Sequence, residues 1–151
     1  MRTAPDTQMT WLRQYLQAMV DRTAELDRCG RIATAADLRT AASLGLKSAV
    51  LGVPTVERAY QWSRRAVIVD TADRRSWRVM AGAWDQLQVL RLQPQWFATV
   101  ITCDRSPDGR CALAPIDTTH VTDPQRVELG LHTVVQQRAL IDSINRARGR
   151  P

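Results

Sequence analysis

The sequence has very little lysine and no long apolar run. These two absences limit the classes of protein to which it can belong. Only Lys47 among the 21 basic residues is a lysine, and the others are arginines. No stretch approaches the roughly 20 consecutive apolar residues that a membrane-spanning helix needs. The first residues also lack the apolar core of a signal peptide. We therefore expect a cytoplasmic protein that makes no contact with a membrane.

Cysteine is also scarce, and its pattern favours neither a disulfide framework nor a metal site. The three cysteines are Cys29, Cys103 and Cys111; an odd number without a secretion signal argues against disulfides, although the last two face one another in some registers. His120 and His132 complete a set of zinc-ligand residue types. However, seven, eight and eleven residues separate these four ligands, whereas structural zinc sites use close pairs. We expect no metal and no cofactor.

The length and composition are those of one globular domain. The chain has 151 residues, and 44% of them are apolar, which suffices for a core without disulfide or metal staples. No internal repeat, low-complexity segment or Gly/Ser linker marks a boundary. We therefore predict a single helical domain over residues 1–151, with a basic, frayed tail over residues 146–151.

Apolar residues at intervals of three and four positions predict four helices before residue 95. Thr34 is a suitable N-cap for the second helix, with Asp37 three positions later. The apolar run 66–69 fits either the end of the third helix or a short buried strand. The predicted helices span about 6–28, 34–51, 55–65 and 70–93. The predicted buried face of the first comprises Met9, Leu12, Leu16 and Met19.

The later part of the chain predicts one β-hairpin followed by a last helix. Residues 96–102 are rich in aromatic and β-branched side chains, and residues 111–114 form a returning strand. Between them, Ser106–Gly109 has the composition of a type I turn. Thr122 caps the last helix, whose predicted buried residues are Val127, Leu131, Val134, Ile141 and Ile144. The expected fold is mainly α (α+β), with about five helices and one hairpin between the fourth and fifth.

The segment Thr40–Leu51 partly resembles a helix-turn-helix motif. Small, glycine and apolar positions of the motif are occupied by Ala41, Gly45, Leu46 and Leu51. Gly52 and Pro54 would interrupt its second helix, and a second alignment, with Ser48 at the small position, moves the turn to Gly52. The favoured interpretation is an ordinary helix with one tolerated glycine. Lys47 would contribute to a binding site only if the motif were present.

An arginine cluster is the strongest functional signal. The formal net charge is +6, and six arginines lie between positions 58 and 78: Arg58, Arg64, Arg65, Arg74, Arg75 and Arg78. Guanidinium groups bind phosphates and release counterions, and the interleaved Tyr60, Trp62 and Trp77 could stack on unpaired bases. Alternatively, Glu57, Asp70 and Asp73 compensate the charge, the tryptophans are core residues, and the arginine bias reflects a GC-rich genome.

These features predict a non-enzymatic accessory protein that binds nucleic acid of unknown type, either a small regulator or a subunit of a nucleoprotein complex. His120 has Asp117, Thr118 and Thr119 nearby, but no nucleophile–base–orienter pattern or glycine-rich phosphate loop is present. The alternative is a protein–protein assembly module without a nucleic-acid role. The arginines would then form a solvated face, and the tryptophans would make the contacts.

Surplus apolar residues on two helices also predict assembly. Trp11 and Tyr15 lie one step off the predicted core stripe of the first helix, and Leu129 and Leu140 lie off that of the last helix. Helices often bury such a surplus in a partner. A homo-oligomer or membership of a larger complex is therefore expected, while a slightly wide core face explains the same residues.

Overall fold

The computed structural model describes residues 5–104 and 109–149, and this part of the chain forms six α-helices and one two-stranded sheet. None of these helices combines the length and apolar character needed to cross a membrane. The prediction of a mainly helical α+β chain, with one hairpin between the fourth and fifth helices, is confirmed. The elements are α1 Pro5–Arg28, α2 Ala35–Lys47, α3 Val53–Val69, α4 Arg74–Leu90, β1 Ile101–Cys103, β2 Cys111–Leu113, α5 Asp123–Glu128 and α6 Val134–Arg148.

The chain divides into two compact units, residues 1–83 and residues 84–151, and α4 runs from the first into the second. The single domain predicted from composition stays a prediction. The frayed tail predicted over residues 146–151 overlaps α6, because α6 extends to Arg148 and the Arg148 guanidinium donates to the carbonyl of Gly109. Residues 150 and 151 lie outside the described residues.

In the first unit, α2 and α3 pack side by side as an antiparallel helical pair. Thr34 caps α2 as predicted, since its hydroxyl accepts a hydrogen bond from the Asp37 amide. Leu38, early in α2, and Ala66, late in α3, belong to one buried cluster. Gly45 near the end of α2 lies against Ala59 in the first half of α3. The two helices therefore stay in contact along their lengths.

This packing decides two points that the sequence left open. Residues 66–69 continue α3, with Ala66 and Val67 buried, so they form no strand. The first helix-turn-helix alignment is wrong, because Gly45 lies inside α2 rather than in a turn. The second alignment matches the turn, where Gly52 has φ +100°. The helices on either side of this turn nevertheless pack against each other along their lengths, and neither projects as a recognition helix would. Lys47 is therefore not assigned to a site.

The predicted buried stripe of α1 is mostly exposed. Met9, Leu12 and Met19 are exposed, and only Leu16 is half-buried. Val20 is buried, and the packed part of the helix follows it, where Ala24 and Leu26 contact the α2–α3 core. Periodicity identified an apolar face correctly, but it cannot say how much of that face another element covers.

In the second unit, the predicted last helix is two helices. α5 ends before Leu129, and Gly130 adopts φ +76°. α6 then starts from a second capping box, in which Thr133 accepts from the Gln136 amide and the Gln136 side chain accepts from the Thr133 amide. Val127 and Leu131 consequently leave the predicted buried face, and Val127 is exposed.

The predicted strand 96–102 is shorter than expected, because its first residues wrap around a buried carboxyl group. Asp85 of α4 is completely buried and accepts hydrogen bonds from the amides of Trp96, Phe97 and Thr99 and from the Thr99 hydroxyl. Ala98 adopts φ +61° inside this loop. Side-chain acceptors thus replace strand pairing there, and only Ile101–Cys103 remains extended.

The hairpin pairs Cys103 directly with Cys111, and a disulfide joins them. This bond departs from the expectation of reduced cysteines, although the register in which they face one another was anticipated. The outer edge of β2 is occupied by Asn145 of α6, whose amide accepts from the Cys111 N–H and donates to the Cys111 carbonyl. Residues 106–108 of the predicted turn Ser106–Gly109 lie outside the described residues.

Candidate nucleic-acid interface

All six predicted phosphate-binding arginines lie in the first unit, on both sides of the α3–α4 connection. Arg58, Arg64 and Arg65 are exposed on α3, and Arg58 and Arg65 lie on either side of its buried Trp62. Three others, Arg74, Arg75 and Arg78, are exposed in the first turns of α4. The α4 side chains lie within one and a half turns of each other, so their charges are concentrated on one side of the helix.

Arg65 differs from the other five because it is already paired. Its guanidinium lies 2.7 Å from the Asp27 carboxylate, and Trp62 Nε1 donates to the same carboxylate at 2.8 Å. Trp62 is buried in the cluster that holds α2 and α3 together. This three-residue contact fixes α1 against α3, so Arg65 has a structural role whether or not the protein binds a phosphate.

Asp27 is expected to make the first unit sensitive to acid. Hydrogen bonds from Arg65, with a further one from Trp62, hold the pKa of this carboxyl below its ordinary value of 3.8. The stability that the pair provides is therefore complete above pH 3.8 and is lost as the pH falls through the lowered pKa. In thermal unfolding between pH 5 and pH 2, Asp27→Asn should have a Tm that depends less on pH than wild type. Asp142→Asn is the exposed control, and equal pH dependence of wild type and Asp27→Asn would contradict this role.

Asp73 directly precedes α4, and its carboxylate binds partners other than the guanidinium groups of α4. Its carboxylate accepts from the Ser76 hydroxyl at 2.7 Å and from the Arg75 backbone amide, and it forms an ion pair with Arg39. The Ser76 hydrogen bond is the main reason that the pKa of Asp73 is lowered. Asp70 accepts from the Ala72 amide. The expected alternative, in which these carboxylates pair with the clustered arginines, is not seen for the α4 side chains.

Five arginine side chains consequently project from the first unit without a carboxylate partner. Within the described ranges, no Asp or Glu oxygen lies within 4.0 Å of the guanidinium groups of Arg58, Arg64, Arg74, Arg75 and Arg78. Positive charge in the first turn of a helix opposes the helix dipole by about 0.3–1 kcal/mol. An anion bound near Arg74 and Arg75 would remove this cost.

Trp62 does not contribute to the base-stacking surface that the sequence predicted. Trp62 is a core residue, as the alternative interpretation proposed. Trp77 is half-buried, and its Nε1 donates to the carbonyl of Thr71. Trp62 is therefore removed from the predicted stacking surface, and the indole N–H of Trp77 is already bonded within the protein. The surface offers charge and hydrogen-bond donors instead.

Sequence reasoning missed one arginine of this region, Arg28 at the end of α1. It lines a groove of about 390 Å³ between α1 and α3, together with Arg58, Gln61 and Arg65. Asp27 and Glu57 line the same groove, so its charge is nearly balanced. No local sequence signal brings Arg28 and Arg58 to the same groove, because the two residues are far apart in the chain.

The zinc and catalytic alternatives both involve the second unit. In the described residues, no group of three or more Cys, His, Asp or Glu side chains is placed to hold a metal ion, and the disulfide occupies both hairpin sulfurs.

His120 stacks on Trp96, with ring centroids 4.0 Å apart, and lies 3.3 Å from Asp117. Hydrogen bonds from Thr119 lower the pKa of Asp117. His132 lies in the α5–α6 connection, not in the last helix as predicted.

No protein-family model, curated protein or solved structure matches the chain.

Proposed function

We propose that this chain is a non-enzymatic, cytoplasmic nucleic-acid-binding accessory protein, a small regulator or a subunit of a nucleoprotein complex. The observation that carries the proposal is the group of five exposed arginines that lack a carboxylate partner among the described residues. Arg58, Arg64, Arg74, Arg75 and Arg78 are the proposed phosphate contacts. Arg65 belongs to the same surface, but its pair with Asp27 makes it a support for α3.

The chemistry favours backbone contacts over base readout. Phosphate contacts position a protein on nucleic acid, whereas base-edge contacts specify sequence. The helical pair α2–α3 presents no projecting recognition helix, and Trp62 and Trp77 are engaged within the protein. Binding should therefore depend little on sequence. It should be stronger for duplexes than for single strands, because a duplex has the higher density of phosphate charge.

The test is the salt dependence of binding to fluorescent duplex and single-stranded DNA and RNA. Wild type should bind at low salt, and log K should fall linearly with log salt. The variant Arg64→Gln, Arg74→Gln, Arg75→Gln, Arg78→Gln should bind more weakly. Its slope on duplex DNA should be smaller by about 3–4, since each lost phosphate contact removes about 0.9 from the slope.

A charge-matched variant separates a localised surface from general positive charge. Arg31, Arg110, Arg138 and Arg146 are exposed and lie outside the cluster, so changing these four to Gln removes the same charge. This control should keep a slope close to that of wild type. No binding at low salt, or equal losses in both variants, would refute the proposed surface.

A second function has its own supporting observation. The first half of α1 exposes several large apolar side chains, which favours the alternative of a protein–protein assembly module. Homo-oligomerisation and membership of a larger complex are both forms of this proposal. If the binding assay is negative for every nucleic acid while the chain self-associates, the assembly module is the better account.

A further inference from the structure

The first half of α1 carries an apolar surface that no part of the described chain covers. Trp11 is 64% exposed and Tyr15 is 51% exposed, and their rings stack with centroids 5.6 Å apart. Met9, Leu12 and Met19 are exposed beside them. These five residues are called the α1 face below. Single exposed apolar side chains are ordinary, but a contiguous set of this size marks an interaction surface.

The charge of this segment argues against nucleic acid and membranes as the occupant. Between Gln8 and Val20, the only charged residue is Arg13. A helix that lies on anionic lipid carries a polar face rich in lysine and arginine, and a nucleic-acid contact also requires cations. A nearly uncharged apolar surface instead matches another apolar protein surface.

A groove of about 450 Å³ lies at the other end of the same side of α1. Met19, Thr23 and Leu26 form its wall on α1. The opposite wall is formed by residues that follow α1: Arg31, Ile32, Asp37, Thr40, Ala41 and Leu44. Trp11, Tyr15 and Met19 are spaced by four residues, and Leu26 follows Met19 by seven, so they lie along one side of the helix. One side of α1 therefore carries an exposed indole near its start and an apolar hollow near its end.

This arrangement is self-complementary under twofold rotation. In a twofold dimer, the same patch is used by both copies, so each protruding group must meet a hollow on that patch. Trp11 and Leu26 are about 22 Å apart along the helix axis, at about 1.5 Å per residue. If two α1 helices pack antiparallel, with the twofold axis passing between Tyr15 and Met19, each Trp11 reaches the groove of the other copy.

The exposed area is consistent with this occupant. The five side chains expose roughly 400–500 Å², within the about 300–600 Å² of a monomer's largest apolar patch. A stable interface buries about 800 Å² per partner, and the walls of the groove and the adjoining glutamines supply additional area. Trp11 and Tyr15 are also of the residue types that are enriched among the side chains with the largest share of binding energy at interfaces.

We infer that the α1 face is the interface of a homodimer, in which α1 packs antiparallel on α1 of a second copy and Trp11 enters the groove beside Leu26. This inference does not depend on nucleic-acid binding, which uses arginines of α3 and α4. Each proposal therefore succeeds or fails by itself.

Sedimentation velocity, without nucleic acid and over a range of micromolar concentrations, tests the inference. Wild type should have twice the chain mass. Trp11→Ala removes the inserted group, and Thr40→Arg obstructs the groove at an exposed position. Each should raise the dimer dissociation constant at least about tenfold, with circular dichroism unchanged. Ile68→Ala is the control, because Ile68 is exposed on α3 and outside the patch.

A mixture of the two variants gives a result that general loss of apolar area does not predict. The Thr40→Arg copy keeps Trp11, and the Trp11→Ala copy keeps an open groove, so the mixed dimer has one intact contact. It should be tighter than either variant dimer. The inference is overturned if wild type stays monomeric at the highest concentration, including a monomer that binds vesicles or another protein. Dimers that are indifferent to both substitutions would overturn it as well.

Discussion

Replacing Asp85 by Ala should unfold the second unit at much lower urea concentration than wild type. The side chain is completely buried and is the common acceptor for three backbone amides and the Thr99 hydroxyl, at 2.8–3.1 Å. Alanine would leave all of these donors without an acceptor in a poorly hydrated site. We expect a loss of about 3–5 kcal/mol in the free energy of unfolding, since each unsatisfied buried donor costs about 1–3 kcal/mol and the loop relaxes in part.

Two further substitutions give this prediction a graded series. Thr99→Val removes only the hydroxyl contact and should cost about 1 kcal/mol. Asp142→Ala, at an exposed position of α6, should change stability by no more than about 0.5 kcal/mol. Urea unfolding followed by tryptophan fluorescence and circular dichroism measures all three. If Asp85→Ala and Asp142→Ala had the same midpoint, the carboxyl group would not organise the loop.

Gly45→Ala should destabilise the first unit, although alanine is the better helix former. A Cβ at position 45 would lie 2.7 Å from Ala59 Cβ and 3.3 Å from Ala59 Cα. No flexible side chain can move aside there, so α2 and α3 must separate. Overpacking of this kind costs about 1–3 kcal/mol, and the gain in helix propensity offsets about 1 kcal/mol. A net loss of up to about 2 kcal/mol is expected.

The same substitution at Gly82 is the matched control and should have the opposite sign. Position 82 also lies inside a helix, but the nearest atom to a Cβ there is the end of the Leu46 side chain, at 4.0 Å. Gly82→Ala should therefore gain up to about 1 kcal/mol through helix propensity alone. Thermal and urea unfolding of both variants would show whether close approach or propensity decides the effect. Stabilisation by both substitutions would exclude the tight contact between α2 and α3.

Much of the fold was predictable because its signals are local. Thr34 and Thr122 cap helices in the structure as the sequence predicted, since a cap needs only residues three positions apart. The position of the hairpin was also correct. The break between α5 and α6 was missed, although Gly130 and the Thr133–Gln136 pattern are local signals of the same kind.

The candidate site was predicted less completely. The six arginines could be named from charge alone, but charge does not reveal which guanidinium groups already have partners. Arg65 and Asp27 are 38 residues apart, so only the packing of α1 against α3 brings them together. The same packing makes Trp62 a core residue and removes it from the predicted stacking surface.

The sequence by itself determined most of the helices, the Thr34 and Thr122 caps, the hairpin and the concentration of arginine, because these depend on neighbours within a few positions. Only the tertiary structure decided which apolar faces are covered. The stripe of α1 has the period of a buried helix, yet Met9, Leu12 and Met19 are exposed. Asp85 shows the converse, because it is a charged residue that the tertiary structure buries. Nothing near it in the chain marks it as buried, and its partners lie 11–14 residues away, because burial depends on which segments fold back onto a residue.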